Sequence, residues 1–358
     1  MRVAVYYNNK DVRIEERPVP EINDDEILVK VIASGICGTD VLEWYRIKKA
    51  PLVLGHEISG IIVKAGRNVK NLKAGDRVFV SHHVPCMKCY YCLNNHHTAC
   101  ETLHKTNFDP GGFSEYIRIP KLNVEFGTFK LHENVSFEEG TFIEPLGTVI
   151  RAQRLANLKE NQALLVIGSG VSGLMHINLA KSKKIKRIIA VDINEYRLNA
   201  AKRFGADYVF DAKEDIIEKI KKINDDRLAD LVIVCTGALS AAEQALNCVD
   251  KGGTILFFAV PKPDEKLEIP INDFWRNEIK IMTSYGAAPD DLKESLELIK
   301  SERNEVSQEL KNKKFLSNNK INLQDMITHR LKFDEIQKGF NLVAEAKDSL
   351  KVIVEPNK

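Results

Sequence analysis

The sequence has no strong excess of charge of either sign. Its 358 residues carry 52 basic side chains against 50 acidic ones, a formal net charge of +2. A non-specific nucleic-acid binder usually carries a marked basic surplus, so the balance argues against that class. Nothing favours an anionic membrane surface as partner either. Long apolar runs are also missing. Stretches such as Leu164–Ile167 and Ile255–Val260 fall far short of the ~18 residues that a membrane helix needs. The opening residues, MRVAVYYNNK, hold too short an apolar stretch for a secretory leader. An oxidising compartment is therefore not expected, and the chain is read as cytoplasmic. Its seven cysteines, odd in number, are read as reduced thiols that need another explanation. There is no internal repeat and no low-complexity tract. What is there is length enough for two domains or one large one, and for a sizeable core.

The texture changes along the chain. Up to about residue 150 it reads as short strands: Arg2–Tyr6, Glu26–Ala33, Glu57–Val63, Asp76–Val80 and Phe113–Ile119. Glycine-rich punctuation separates them, which gives a mostly β pattern. From about residue 161, apolar runs alternate with helical stretches. Ala163–Gly168, Arg187–Asp192, Tyr208–Phe210, Leu231–Cys235, Thr254–Ala259 and Ile279–Ser284 read as strands. Gly170–Ser182, Asn194–Phe204, Glu214–Lys222 and Leu239–Val249 read as helices. This alternation predicts an α/β region with a doubly wound parallel sheet. The last seventy residues are mixed, with helices over Asp291–Ser301 and Phe333–Val343 and a strand at Leu350–Val354. The polar segment Glu302–Asn319 between those helices is expected to face solvent.

Four cysteines are closely spaced: Cys86, Cys89, Cys92 and, seven residues on, Cys100. Two-residue gaps let successive sulfurs converge on one ion, so the pattern suits a Cys₄ zinc site. No ligand position is left open, which fits a structural role. Two disulfides or an iron–sulfur cluster are the alternatives. Nearby His82, His83, His96 and His97 read more simply as loop histidines than as ligands.

The segment Gly168-Ser169-Gly170-Val171-Ser172-Gly173 follows a predicted strand and opens a predicted helix. In that context the GxGxxG spacing points to dinucleotide binding. The glycines allow a tight turn, close approach of a pyrophosphate, and close helix–strand packing. The helix start offers free N–H groups to the phosphates. Asp192 ends the next strand, where a carboxylate can accept ribose hydroxyls and repel a 2′-phosphate, which favours NAD over NADP. Arg197 nearby weakens that preference slightly. Asp192 alone would read as a helix cap.

Cys37 in GICGTD, His56 and Glu57 in LGHE, and Glu144 in FIEPLG are unremarkable taken singly. In order with AGDRV, the four-cysteine lobe, GGFSEY, GSGVSG and ITHRL, they make the chain resemble the zinc-dependent medium-chain alcohol dehydrogenases. It is most similar to the sorbitol-type polyol and threonine dehydrogenase branch. The resemblance covers nearly the whole chain. It implies a GroES-like β catalytic domain (1–146 and 287–358, with a zinc lobe at about 82–104) and an inserted Rossmann domain (147–286).

For the site, the resemblance implies two zinc ions. Cys86, Cys89, Cys92 and Cys100 match the structural one. Cys37, His56 and Glu57 match the catalytic one, with Glu144 as a near ligand that exchanges with water. Thr39 matches the hydroxyl that takes the alcohol proton, and Asp40 a carboxylate that orients His56. Thr148 matches a residue beside the nicotinamide. Cys235 and Val260, at the ends of predicted strands, are further cofactor contacts. Relatives often carry a relay histidine five residues after the first ligand. Leu42 stands there, so the proton must leave through Thr39 and a ribose hydroxyl, or through Glu43 or water. The implied activity is NAD-dependent oxidation of a secondary alcohol (a polyol, sugar or cyclitol) by a homodimer or homotetramer. L-threonine 3-dehydrogenase is the alternative within the class, and a non-catalytic NAD-binding redox sensor the alternative outside it.

Overall fold

A computed structural model describes residues 1–301, 321 and 323–358. The polar segment Glu302–Asn319 lies outside the described residues. Two compact units emerge. One holds Met1–Gly147, the stretch beginning at Gly286, and Leu323–Lys358; the other holds Thr148–Tyr285.

In chain order the first unit supplies β1 (Arg2–Asn8), β2 (Asp11–Glu16), β3 (Ile27–Ile36), β4 (Leu52–Val53), β5 (Glu57–Ala65), β6 (Arg77–Val80), β7 (Tyr116–Ile119) and β8 (Thr128–Lys130). The second supplies β9 (Ala163–Ile167), β10 (Arg187–Asp192), β11 (Tyr208–Asp211), β12 (Ala229–Val234), β13 (Val249–Phe257) and β14 (Lys280–Thr283). The chain then returns to the first unit with β15 (Ile327–Lys332) and β16 (Lys351–Glu355).

The main sheet of the first unit runs β15-β16-β3-β5-β6-β8, with β7 also paired to β3. Its core is built by alternation: Ile27, Val29 and Val31 of β3 pack with Ile58, Ile62, Val78, Val80 and Ile117. Each such side chain contributes roughly 1.5–3 kcal/mol on burial. Register matters more for the site. Gly35 of β3 stands opposite Glu57 of β5, and Ile36 opposite Val352 of β16. The end of β3, the start of β5 and the start of β16 are thus side by side.

The second unit is a parallel sheet of order β11-β10-β9-β12-β13-β14. It is doubly wound, and the strand order reverses between β9 and β12. β9 is buried along its whole length, as a central strand covered by helices on both faces must be. No helix among the described residues is long and apolar enough to cross a membrane.

Three local expectations need correction. The strand read from Phe113 starts at Tyr116, because Ser114 turns to donate its hydroxyl to Gly111 O at 2.6 Å. β13 starts at Val249 and not at Thr254, since Val249 already pairs with Ala229 and the Asp250–Gly253 stretch bulges out before Thr254 pairs with Leu231. A 13-residue helix, Ile143–Leu155, lies where no helix was expected. Pro145 sits in its first turn, where the missing N–H has no partner to lose.

Candidate functional site

The donor atoms of Cys37, His56 and Glu57 lie within 4.8 Å of one another. The strand registers account for this: Cys37 immediately follows β3, and His56 immediately precedes β5. Gly55 makes the approach with φ +89, and a Cβ there would stand 2.7 Å from Phe113 N. Cys37 caps the 3₁₀ turn Gly38–Val41. Its sulfur receives Thr39 N–H at 3.4 Å and the Thr39 hydroxyl at 3.3 Å.

Asp40 is fully buried. Its Oδ2 accepts Cys37 N–H at 3.0 Å, and its Oδ1 faces His56 Nδ1 at 3.4 Å. A carboxylate on that side keeps the ring proton on Nδ1 and leaves Nε2 free as a ligand atom. Burial disfavours a charged His56, but Asp40 and Cys37 outweigh it and raise the imidazole well above its usual value.

Glu144 stands beside this cluster and is not one of its three members. Burial pushes its carboxyl up to about 7, and Glu57 adds to the effect while His56 and Lys351 oppose it. A cation bound nearby would favour its ionised form.

Sequence reasoning missed Lys351. Its Nζ donates to Glu57 Oε2, and the two side chains are 1% and 2% exposed. Gly35 makes room for the pair: a Cβ there would stand 2.5 Å from Glu57 Oε2 and 2.6 Å from Lys351 Nζ. The only signal was one lysine in front of the buried strand Val352–Val354. Its partner is 294 residues away.

His82 and His83 were also undervalued. The His82 ring stacks on His83 with centroids 3.8 Å apart and lies 4.8 Å from the His56 ring. Burial, and then neighbouring charges that include His56 and Arg46, keeps both rings neutral, with His83 pushed down to about 4. Glu43 faces away from this cluster, accepting Asn9 N–H at 3.2 Å. The rings of Trp44 and the exposed Tyr45 meet at a tilt of 57° with centroids 5.8 Å apart.

The second cluster is Cys86, Cys89, Cys92 and Cys100, again within 4.8 Å. Cys89 and Cys92 sulfurs are 3.5 Å apart, and those of Cys86 and Cys100 3.6 Å. A zinc tetrahedron with metal–sulfur distances of about 2.3 Å has edges of about 3.8 Å, so the four sulfurs fit one. All seven cysteines are free thiols. Burial and adjacent sulfurs push Cys92 up; backbone N–H donors pull Cys100 down in spite of its burial. Thiols so crowded cannot all ionise without a cation between them.

In the second unit the glycine loop sits at the carboxyl end of β9. Gly168 takes φ +94. A Cβ on Gly173 would collide with the Gly168 carbonyl, and none of the neighbours comes within 4 Å of where one on Gly170 would stand. Gly170 caps the helix Val171–Ser182, which exposes Val171, Ser172 and their N–H groups at its start. Asp192 ends β10, but both its oxygens are in use: Oδ2 accepts Ser169 N–H at 2.7 Å and Oδ1 accepts Asn194 N–H at 2.9 Å. Each oxygen keeps a further lone pair. Arg197 has a buried Nε with no hydrogen-bond partner. Cys235 extends β12, donating its N–H to Ile167 O at 2.8 Å, and burial pushes its thiol up. Val260 lies exposed beyond β13. Gly168, Asp192, Cys235 and Val260 therefore all lie at the carboxyl edge of the sheet, where open α/β sheets bind ligands. Thr148 lies in the helix Ile143–Leu155.

Comparison with known proteins gives two matching family models. Residues 23–125 match the alcohol dehydrogenase GroES-like domain, and residues 171–301 the zinc-binding dehydrogenase domain. Sorbitol dehydrogenase of Bacillus subtilis (strain 168) is 31% identical over all of this chain and 98% of its own. L-threonine 3-dehydrogenase of Bacillus velezensis is 31% identical over 96% of this chain and 95% of its own. Among solved structures, galactitol-1-phosphate dehydrogenase from Escherichia coli superimposes with a TM-score of 0.83 and 27% identity, covering 99% of this chain and all of the other.

Proposed function

Because this chain belongs to the zinc-dependent medium-chain dehydrogenases, we propose that it transfers hydride between a secondary alcohol and NAD. The substrate class is a polyol, sugar or cyclitol. The observation that carries the reading is the convergence of Cys37, His56 and Glu57 within 4.8 Å. Three protein ligands with room for a fourth are what a catalytic zinc site needs. A non-catalytic NAD sensor would have no use for them.

When bound, zinc supplies Lewis-acid stabilisation of negative charge developing on oxygen, and NAD supplies the hydride acceptor. The chain's own residues do the rest. Asp40 fixes the tautomer and angle of His56. Lys351 holds Glu57 in place. Glu144 is a reserve carboxylate beside the three ligands. The Thr39 hydroxyl, 3.3 Å from the Cys37 sulfur, is placed to take a proton from an alcohol there. With Leu42 in the usual relay position and Glu43 turned to Asn9, that proton leaves through water or a ribose hydroxyl.

In the second unit, the N–H groups after Gly170 receive the pyrophosphate. Asp192 accepts from the adenosine ribose and repels a 2′-phosphate, which favours NAD over NADP. Arg197, Cys235, Val260 and Thr148 are further cofactor contacts. Cys86, Cys89, Cys92 and Cys100 hold a second, structural zinc. Seven free thiols suit the cytoplasm. The open edge of β14 suits pairing with a second copy.

The test is a panel of polyols, sugars, simple secondary alcohols and L-threonine with NAD, read at the NADH absorbance, with metal analysis. Turnover of polyols and two zinc ions per chain are expected. Cys37→Ala should lose turnover yet keep its fold and NAD binding. Activity surviving in Cys37→Ala would overturn the site assignment, and preference for L-threonine would overturn the substrate class.

A further inference from the structure

Arg46 steadies Thr39, but that contact uses only part of its guanidinium. Its side chain is 14% exposed, and its nearest carboxylate oxygen, Asp40 Oδ1, lies 3.6 Å from Nη2, outside hydrogen-bond reach. Of the five guanidinium N–H donors, two are engaged. Nε donates to the Thr39 carbonyl at 2.9 Å, and Nη2 to Thr39 Oγ1 at 3.3 Å. The other three make no hydrogen bond among the described residues. Among the described residues its one ion-pair partner, Asp40 Oδ1, is shared with His56 Nδ1 at 3.4 Å, so a half-buried guanidinium with three donors free can take a second anion.

Its place is informative. Thr39 Oγ1 is 3.3 Å from Arg46 Nη2 and 3.3 Å from Cys37 Sγ, so the guanidinium sits no more than about 7 Å from the sulfur. Lys49 adds a second cation: Arg46 Cζ and Lys49 Nζ flank the same Tyr45 ring at 4.8 and 5.2 Å. The charges of both reach His83. The acid on the short helix that carries Arg46, Glu43, accepts Asn9 N–H.

We propose that the alcohol substrate carries its own anionic group, a phosphate monoester, which Arg46 binds while Lys49 guards the rim. This rests on the dehydrogenase assignment of the Cys37 site. The planar fork of arginine matches phosphate geometry, and two cations balance a dianion. The same corner repels an ammonium, which disfavours an amino-acid substrate.

The test compares a hexitol, its terminal phosphate ester, the matching hexonate and L-threonine, with NAD and the purified full-length enzyme. The ester is expected to win over the hexitol by roughly tenfold or more in kcat/KM, expressed in KM. Arg46→Gln should cost the ester roughly ten- to a hundredfold and the plain hexitol much less. Arg46→Lys should recover part of the loss. Lys49→Gln, which does not touch Thr39, should cost the ester a few-fold. Equal kcat/KM for hexitol and ester would overturn the proposal. So would equal losses on both in Arg46→Gln, which would leave Arg46 as a prop for Thr39. A rise in the KM for NAD alone would assign Arg46 to the dinucleotide's phosphates. Preference for the hexonate or for L-threonine would replace phosphate with carboxylate. If no alcohol is turned over, the dehydrogenase reading fails, and binding still decides the proposal. In a Trp275→Phe background, Trp44 fluorescence should respond saturably to the ester and not to the hexitol, and Arg46→Gln should abolish the response. Silence toward the ester would sink the proposal.

Discussion

Glu57 is a charge that folding removes from water, and the chain answers it with Lys351 in the gap that Gly35 leaves. Removing one partner of a buried ion pair costs about 3–5 kcal/mol, because the other charge is left uncompensated. Lys351→Met should therefore destabilise the metal-free protein by about that much. Zinc on Glu57 should restore part of the loss. Thermal unfolding with and without a chelator checks this. The gap between metal-loaded and chelated melting temperatures should widen in the variant, and an equal gap in both proteins would refute the coupling. Residues with local partners were the legible ones. Cys86, Cys89 and Cys92 announce themselves by spacing, and Gly168, Gly170 and Gly173 by position after a strand. Lys351, Arg46 and His82 did not, because each acquires its meaning from a neighbour supplied by the tertiary fold.

At the scale of elements, the cysteine lobe is short of apolar substance. Its buried cluster is Cys92, Cys100 and Leu103, with Cys86 and Cys89 packed against them. So small a cluster cannot offset the entropy of ordering the loop, and the metal takes over the role of a core. Cys89→Ser should lower zinc by one ion per chain. It should also expose the stretch between Met87 and Asn95, two residues held at positive φ, to limited proteolysis. The parallel sheet of the second unit should stay resistant. Unchanged zinc content or an unchanged digestion pattern would deny the lobe its dependence on metal. The parallel strands were readable because burial on both faces writes a continuous apolar run, as in β9. β2 was not, since Asp11–Glu16 (DVRIEE) carries four charged residues on a hairpin edge. Nor was the helix Ile143–Leu155, which carries Pro145 in its first turn.

For the whole molecule, two features of chain layout matter. The first is the end of the parallel sheet. Among the described residues β14 has a neighbour on one side, β13, and Ile281 on it is 38% exposed, with Trp275 nearby in sequence 75% exposed. An edge of this kind invites pairing, and a second copy closes it symmetrically. Sedimentation should give a dimer or a tetramer built from such dimers, and Ile281→Glu should lower the oligomer without unfolding the chain. A wild-type monomer, or an assembly indifferent to the charge, would count against this edge. The second feature is the return of the chain to its first unit. β16 lies between β15 and β3 in the main sheet, so the sheet is incomplete until the final stretch of polypeptide arrives. Glu57 and Lys351 are 294 residues apart. At cellular synthesis rates Glu57 waits roughly 15 to 60 s for its lysine. During that interval the Ser34–Ile36 end of β3 lacks its partner strand and Glu57 lacks its lysine. Until Lys351 arrives that carboxylate is solvated by water, so burying it and pairing it are the same late event. The first unit therefore closes over its candidate metal site only when its C-terminal strand is in place, which makes that strand the last lock on the site.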